Sequence, residues 1–230
     1  MTKLKKIALL GVLLTAVSTL SGCDLAQWMA YVFGLEKTEL VKAECADLDH
    51  SKVAVLIISE PSMHYQNRYL RESLGTAMRY HLEENVPGID VVDPVKVSSF
   101  QNQNLNWDRL SKSQIAKKLG VDYLLVIGLV NYTKDYPGSS DGFQVNISAQ
   151  AMVYSATNSG MFDNMIWQSE STVDLMAPKN PAYSLTESGK RRLIIKAEKE
   201  FAKKLCRKFY DRTVEVKPKG MEDWDMKNEY

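Results

Sequence analysis

Residues 53–58 read Val-Ala-Val-Leu-Ile-Ile, an unbroken apolar and mostly β-branched run between polar Ser51-Lys52 and Glu60-Pro61. A strand that wets one face alternates polar and apolar residues. An unbroken run instead suits a strand covered on both faces, as in sheets with helices packed against them. A second run follows at Val121-Asp122-Tyr123-Leu124-Leu125-Val126-Ile127-Gly128-Leu129-Val130. Two such strands separated by helical sequence restrict the chain to a layered α/β arrangement with crossover connections.

The segments between and after these runs complete the pattern. From Asn67 to Glu84, Leu70, Leu74, Ala77, Met78, His81 and Leu82 fall on or near one helical stripe. Pro87-Gly88 breaks the chain, and Ile89 to Pro94 supplies a short strand. Lys96 to Asp108 is polar with no strong period and reads as a loop. Ser111-Lys112-Ser113-Gln114 is a capping box, and Gly120 stands where a left-handed C-terminal cap is usual, so a short helix is predicted between them. Strict alternation then sets in, with Phe143, Val145, Ile147, Ala149, Ala151 and Val153 inward and Gln144, Asn146, Ser148 and Gln150 outward. A turn at Thr157-Asn158-Ser159-Gly160 returns the chain through Met165-Ile166-Trp167 to Leu175 as the hairpin partner. Thr186 to Tyr210 is a long cationic helix whose Leu193, Ile194, Ala197, Phe201, Leu205 and Phe209 repeat at threes and fours. The expected class is α/β (α+β): a single mixed sheet of about five strands with three helices, in the order β-α-β-α-β-β-β-α.

Ahead of this body the chain carries an address. Lys3, Lys5 and Lys6 precede an uncharged stretch from Ile7 to Leu20, the layout of a secretory signal. A membrane-spanning helix needs roughly 20 apolar residues, so a retained transmembrane anchor is the weaker reading. Leu20-Ser21-Gly22-Cys23 resembles the lipobox of bacterial lipoproteins, in which the Cys23 thiol takes a diacylglycerol after cleavage. Asp24 resembles an inner-membrane retention signal of enterobacteria and leaves inner versus outer membrane open. The expected parts are a signal peptide at 1–22, a lipidated anchor and linker at 23–50, a periplasmic domain at 51–212 and a charged mobile tail at 213–230. Leu25, Trp28, Met29, Tyr31, Val32, Phe33 and Leu35 lie beside the lipid, to rest in the headgroup region or pack on protein.

Removing residues 1–22 of the 230 leaves 208, and the 29 basic side chains lose Lys3, Lys5 and Lys6, giving 26 against 28 acidic and a formal charge of −2. A mature chain so close to neutral does not suggest nucleic acid, and no nucleic-acid partner is expected. Besides Cys23, only Cys45 and Cys206 are present. In an exported protein they either bridge, tying the segment before the first strand to the last helix, or remain two partly buried thiols. There is no Cys-rich or Cys/His cluster for a metal, and no metal or cofactor is expected.

Signatures of common hydrolases and nucleotide binders are missing: no GxSxG, HExxH, GxGxxG or Walker loop occurs. His50 in the linker and His64 after the first strand read as solvated side chains. His81 falls in the last turns of its helix, where the dipole favours a cation. Gly138-Ser139-Ser140-Asp141-Gly142 reads as a hairpin-edge loop, because Asp141 opposes anion binding. Glu83-Glu84 and Asp90/Asp93 read as a solvated helix end and a strand-edge turn. The basic residues Lys190, Arg191, Arg192, Lys196, Lys199, Lys203, Lys204, Arg207 and Lys208 form either a solvated face or a surface for anionic lipid or a partner.

The lipobox cysteine, Lys52-Val53-Ala54-Val55-Leu56, Asp90-Val91-Val92-Asp93, Ala116-Lys117-Lys118-Leu119-Gly120-Val121-Asp122-Tyr123 leading to Gly128, and Asn158-Ser159-Gly160 before Trp167 together resemble the periplasmic domain shared by CsgG, PelC and the amino-terminal domain of TolB. The resemblance covers roughly residues 51–210. It implies a membrane-anchored platform that assembles as a homo-oligomer or with other envelope proteins. A transmembrane hairpin needs two alternating segments of about 9–11 residues facing lipid, and the alternating pair at 143–175 is already required by the sheet, so a channel is not expected. The expected role is a non-enzymatic scaffold or accessory subunit of a periplasmic complex, anchored through Cys23. The alternative is a ligand-binding lipoprotein of a transport system, with residues 96–108 or 136–142 lining its site.

Overall fold

The computed structural model describes residues 38–67, 69–135, 143–157, 164–177 and 186–215. Its elements in chain order are β1 (Thr38–Val41), β2 (Lys52–Ile58), α1 (Pro61–Gln66), α2 (Leu70–Asn85), β3 (Asp90–Val91), α3 (Pro94–Gln103), a 3-10 turn (Trp107–Arg109), α4 (Lys112–Leu119), β4 (Tyr123–Asp135), β5 (Gln144–Ser155), β6 (Met165–Gln168), β7 (Val173–Ala177), α5 (Glu187–Cys206) and β8 (Arg212–Glu215). They divide into two units. One holds the two-stranded pairing of β1 with β8. The other is the α/β body, Lys42–Arg212.

The two apolar runs form the middle of the body's sheet. β2 lies between β3 and β4 and is parallel to both, with Val53 opposite Tyr123 and Ile58 opposite Gly128. The order is β3-β2-β4-β5, and β5 then pairs with both β6 and β7. Odd positions Val53, Val55 and Ile57 join one core cluster with Leu74 and Met78 of α2 and Phe201 and Leu205 of α5. Even positions Ala54 and Leu56 join a second, with Val97 of α3 and Ile115 and Ala116 of α4. The continuous run thus has apolar partners on both faces, and each fully buried aliphatic side chain contributes about 1.5–3 kcal/mol. The mixed sheet and the α+β class are as the sequence implied.

Other features follow from local chemistry. Ser111 accepts from the Gln114 amide while the Gln114 side chain accepts from Ser111 N, and Gly120 closes α4 at φ +67°. β5 pairs antiparallel with β4, and its Val145, Ile147, Ala149, Ala151 and Val153 face the α2/α5 side.

Three expectations are corrected. The stretch 96–108 is not a loop, because Pro94–Gln103 is helical: Asp93 accepts from Val95 N at 2.9 Å and Pro94 occupies the first turn. The helix shows no apolar period because polar side chains fill two of its buried positions. Ser98 Oγ donates to Glu72 Oε1 at 2.9 Å, and Gln101 Nε2 donates to Ile57 O at 3.2 Å. With α1 also present, the described residues hold five α-helices rather than three. The returning hairpin arm is two strands: β7 pairs with the first half of β5 and β6 with the second. Between them Ser169 N donates to Ala151 O, and Ala151 N donates to Ser169 Oγ, so a hydroxyl replaces a ladder carbonyl.

The segment 42–50, read as linker, packs onto the body, with Cys45 and Leu48 buried in the α2/α5 core. Residues 213–215, read as the start of the tail, belong with Arg212 to a strand. The two ends of the body are joined: Ala43 N donates to Asp211 Oδ1 at 2.8 Å, Glu44 N to Lys208 O at 2.8 Å, and Lys208 Nζ to Glu44 Oε1 at 2.7 Å. Gly75 of α2 sits where α3 begins, and a Cβ there would lie 2.9 Å from Pro94 Cβ, so the missing side chain sets how closely the helices approach.

Candidate functional site

An irregularity in β4 positions the most unusual polar group of the body. β4 and β5 run in register up to Leu129 opposite Ala149, and resume with Asn131 opposite Ser148, leaving Val130 unmatched and exposed. One extra residue inverts the side-chain alternation beyond it. Before the bulge, Leu125, Ile127 and Leu129 face α2 and α5; after it, Tyr132 does. Without the bulge, Asn131 and Thr133 would face the core.

Tyr132, 1% exposed, donates its hydroxyl to Glu198 Oε1 at 2.7 Å. Glu198 is 3% exposed and stands within the apolar stripe of α5, between Ile194, Ala197, Phe201 and Ala202. Asn67, linking α1 to α2, directs Nδ2 to the same Oε1 at 3.3 Å and to the Tyr132 hydroxyl at 3.1 Å. Lys134, two residues past Tyr132, places Nζ 5.3 Å from its ring centroid. Three segments distant in sequence thus meet at one carboxylate oxygen.

Burial dominates the electrostatics. It raises the Glu198 carboxyl above its ordinary pKa, with Tyr132, Ser73, Lys134 and Asn67 pulling the other way. Burial, then the Glu198 charge, raises the Tyr132 phenol. Burial lowers the Lys134 ammonium against the opposing pull of Glu198. Burying a carboxylate is costly unless its oxygens are hydrogen-bonded. A carboxyl so enclosed, with one oxygen already taking two donors, suits a clamp between α5, β4 and the start of α2 better than proton transfer to a solvent-borne substrate.

Among the described residues, those marked by sequence do not converge. Cys23, the aromatic stretch 24–35, the loop 136–142 and the side chain of His64 lie outside what is described. His50 has φ +54° and lies against Gly88, where a Cβ would meet its ring. His81, expected as a cation at a helix end, is instead partly enclosed against α5; burial lowers its pKa, the Glu84 charge opposes this and Lys203 adds to it. Its ring meets Tyr80 edge-on at 5.2 Å. Glu83 pairs with Arg79 at 2.8 Å, Glu84 accepts from the Tyr80 hydroxyl, and Asp93 caps α3. No group of three His, Cys, Asp or Glu among the described residues is placed to hold a metal ion. No described helix is long and apolar enough to cross a membrane.

Of the two alternatives for Cys45 and Cys206, this structure has both as buried free thiols. Cys45 Sγ donates to Asp47 Oδ2 at 3.7 Å and Cys206 Sγ to Met78 O at 3.8 Å. Burial pushes the Cys45 thiol up to about 11 and raises that of Cys206 as well. A thiol reagent at neutral pH, applied to a Cys23→Ser chain without reductant, is expected to label neither cysteine in the native state and both after denaturation. No labelling after denaturation would mean that a bridge exists.

Sequence reasoning passed over Tyr132, Glu198 and Asn67. The available signal was Glu198 itself, a carboxylate at an inward position of an otherwise apolar helix stripe.

No family model matches the chain, and no curated protein matches it. Several solved structures do. A crystal structure of lipoprotein GNA1162 from Neisseria meningitidis is 15% identical, covers 66% of this chain and 98% of its own, and has a TM-score of 0.40. A PelC dodecamer from Paraburkholderia phytofirmans is 9% identical over 74% of this chain and 96% of its own, with a TM-score of 0.38. A minor lipoprotein from Acinetobacter baumannii is 13% identical over 74% of this chain and 99% of its own, with a TM-score of 0.34.

Proposed function

We propose that the chain is a lipid-anchored protein of the bacterial envelope, whose α/β body serves as a non-enzymatic scaffold or accessory subunit of a periplasmic complex. The observation that carries this reading is Leu20-Ser21-Gly22-Cys23 directly after a cationic start and an uncharged run. Two uses of side chains support it. Carboxylates noted in the sequence serve structural contacts, Asp93 as a cap and Glu83 and Glu84 as partners of Arg79 and Tyr80. The joined ends of the body, Glu44 on Lys208 and Ala43 on Asp211, bring the incoming and outgoing chain to one place and leave the rest of the surface for partners. The resemblance of residues 51–210 to the CsgG, PelC and TolB domains adds assembly to the reading.

Light scattering on the unlipidated chain, and on the lipidated protein in detergent, tests the scaffold role together with crosslinking in native membranes. A multimer or a reproducible crosslinked partner is expected. A strict monomer in both preparations with no crosslinked partner would contradict the reading.

A further inference from the structure

The outer face of α5 carries a charge pattern that its packing does not require. Arg192, Lys196, Lys199, Lys203 and Arg207 recur at steps of four, three, four and four, and all five are exposed. At 100° per residue they fall within a sector of about 80°, opposite Ala197, Phe201, Ala202 and Leu205, which face the core. The line is about 22 Å long at 1.5 Å per residue. Of the basic groups around the row, Lys190 pairs with Glu187, Lys204 donates to Asp174 O and Lys208 pairs with Glu44. Among the carboxylates of α5, Glu187 pairs with Lys190, Glu198 is buried, and Glu200 borders the line. On the facing helix α2, Glu84 lies beside His81, which also feels the charges of Lys203 and Glu200. Ile195, also exposed, borders the row on α5 itself.

We propose that this face of α5 docks on an anionic phospholipid surface. A straight, exposed row of cations matches a plane of headgroup phosphates, whereas a discrete anion would call for converging donors. The chain from residue 23 has a formal charge of −2, so the attraction resides in this row and not in the protein's overall charge. The proposal extends the anchoring above: Lys42 lies nineteen positions after Cys23, and a chain spans at most about 3.6 Å per residue, which keeps the body within roughly 70 Å of the bilayer. The lipid supplies the attachment, and α5 supplies an orientation.

The test uses the chain from residue 23 with Cys23→Ser, so that no lipid contributes. It is sedimented with phosphatidylcholine vesicles, with or without about one-third phosphatidylglycerol, at low and high salt. Binding is expected only to the anionic vesicles and is expected to be lost at high salt, where charges are screened within a few ångströms. Each basic group at such a surface is worth about fivefold in partition, so Arg192→Gln, Lys199→Gln and Lys203→Gln together are expected to weaken binding on the order of a hundredfold. A control with Lys96→Gln, Lys117→Gln and Lys118→Gln makes the same charge change on α3 and α4 and is expected to leave binding intact. No binding, equal binding to neutral vesicles, an equal loss in the control, or retention only by an acidic polypeptide would each overturn the proposal. None of these outcomes bears on whether Cys23 is lipidated, which is read separately by mass.

Discussion

Replacing Glu198 with alanine is expected to lower the unfolding free energy by about 2–5 kcal/mol, while replacing it with glutamine leaves the protein at least as stable at neutral and mildly alkaline pH. Alanine removes the acceptor of both the Tyr132 hydroxyl and the Asn67 amide, and each buried group left unsatisfied costs about 1–3 kcal/mol. Glutamine keeps a carbonyl oxygen for those donors and removes the charge. The pH dependence separates the two effects. Burial raises the folded-state pKa of Glu198 above its unfolded value, so the native state holds this proton more tightly. The stability it provides is complete below the unfolded carboxyl pKa, about 4.3, and is lost as pH rises through the folded value. Glu198→Gln lacks this loss, so its stability relative to the parent improves as pH rises. Denaturant titrations of the three proteins from acid to mildly alkaline pH measure this. An alanine variant within half a kcal/mol or so of the parent, or a glutamine variant as damaged as alanine, would remove the clamp from the account.

The second large effect concerns location. Cys23→Ser is expected to abolish acyl incorporation and to release the body from membranes washed at high salt. The serine hydroxyl cannot form the thioether that carries the diacylglycerol. Each buried methylene contributes about 0.8 kcal/mol, and two or more chains are needed for stable attachment, so losing the adduct removes nearly all of the membrane affinity. The high-salt wash matters because the cationic row on α5 gives the unlipidated protein a weaker, screenable hold. A serine variant that remains fully membrane-bound after that wash would show that something other than the Cys23 adduct anchors it.

These predictions rest on features of uneven legibility. The central strands could be read directly, because Val53–Ile58 is apolar without interruption and β5 alternates polar and apolar residues from Val145 to Ala151. The start and end of α4 were equally plain, since a Ser111/Gln114 box and a left-handed Gly120 are written in residue types. α3 was hidden because Ser98 and Gln101 occupy inward positions and satisfy themselves against Glu72 and the backbone of β2, which erases the apolar period. The split of the last hairpin arm turns on one hydroxyl, Ser169, replacing a backbone acceptor. The clamp was least visible. Tyr132 reaches the core only because Val130 is an extra residue in its strand, and a bulge has no signature in a single sequence. The polar residues that sequence did mark, His50, His81, Asp90 and Asp93, are dispersed because spacing along the chain says nothing about convergence in space.

Attachment of the folded body to the envelope through Cys23 is the central proposal. The most direct test is the intact mass and N-terminal peptide of the protein purified from native membranes. A mature chain beginning at Cys23 and carrying a diacylglycerol adduct, with or without a further palmitate-sized chain, is the predicted result. A chain that retains residues 1–22, or one that begins beyond them with an unmodified Cys23, would contradict it.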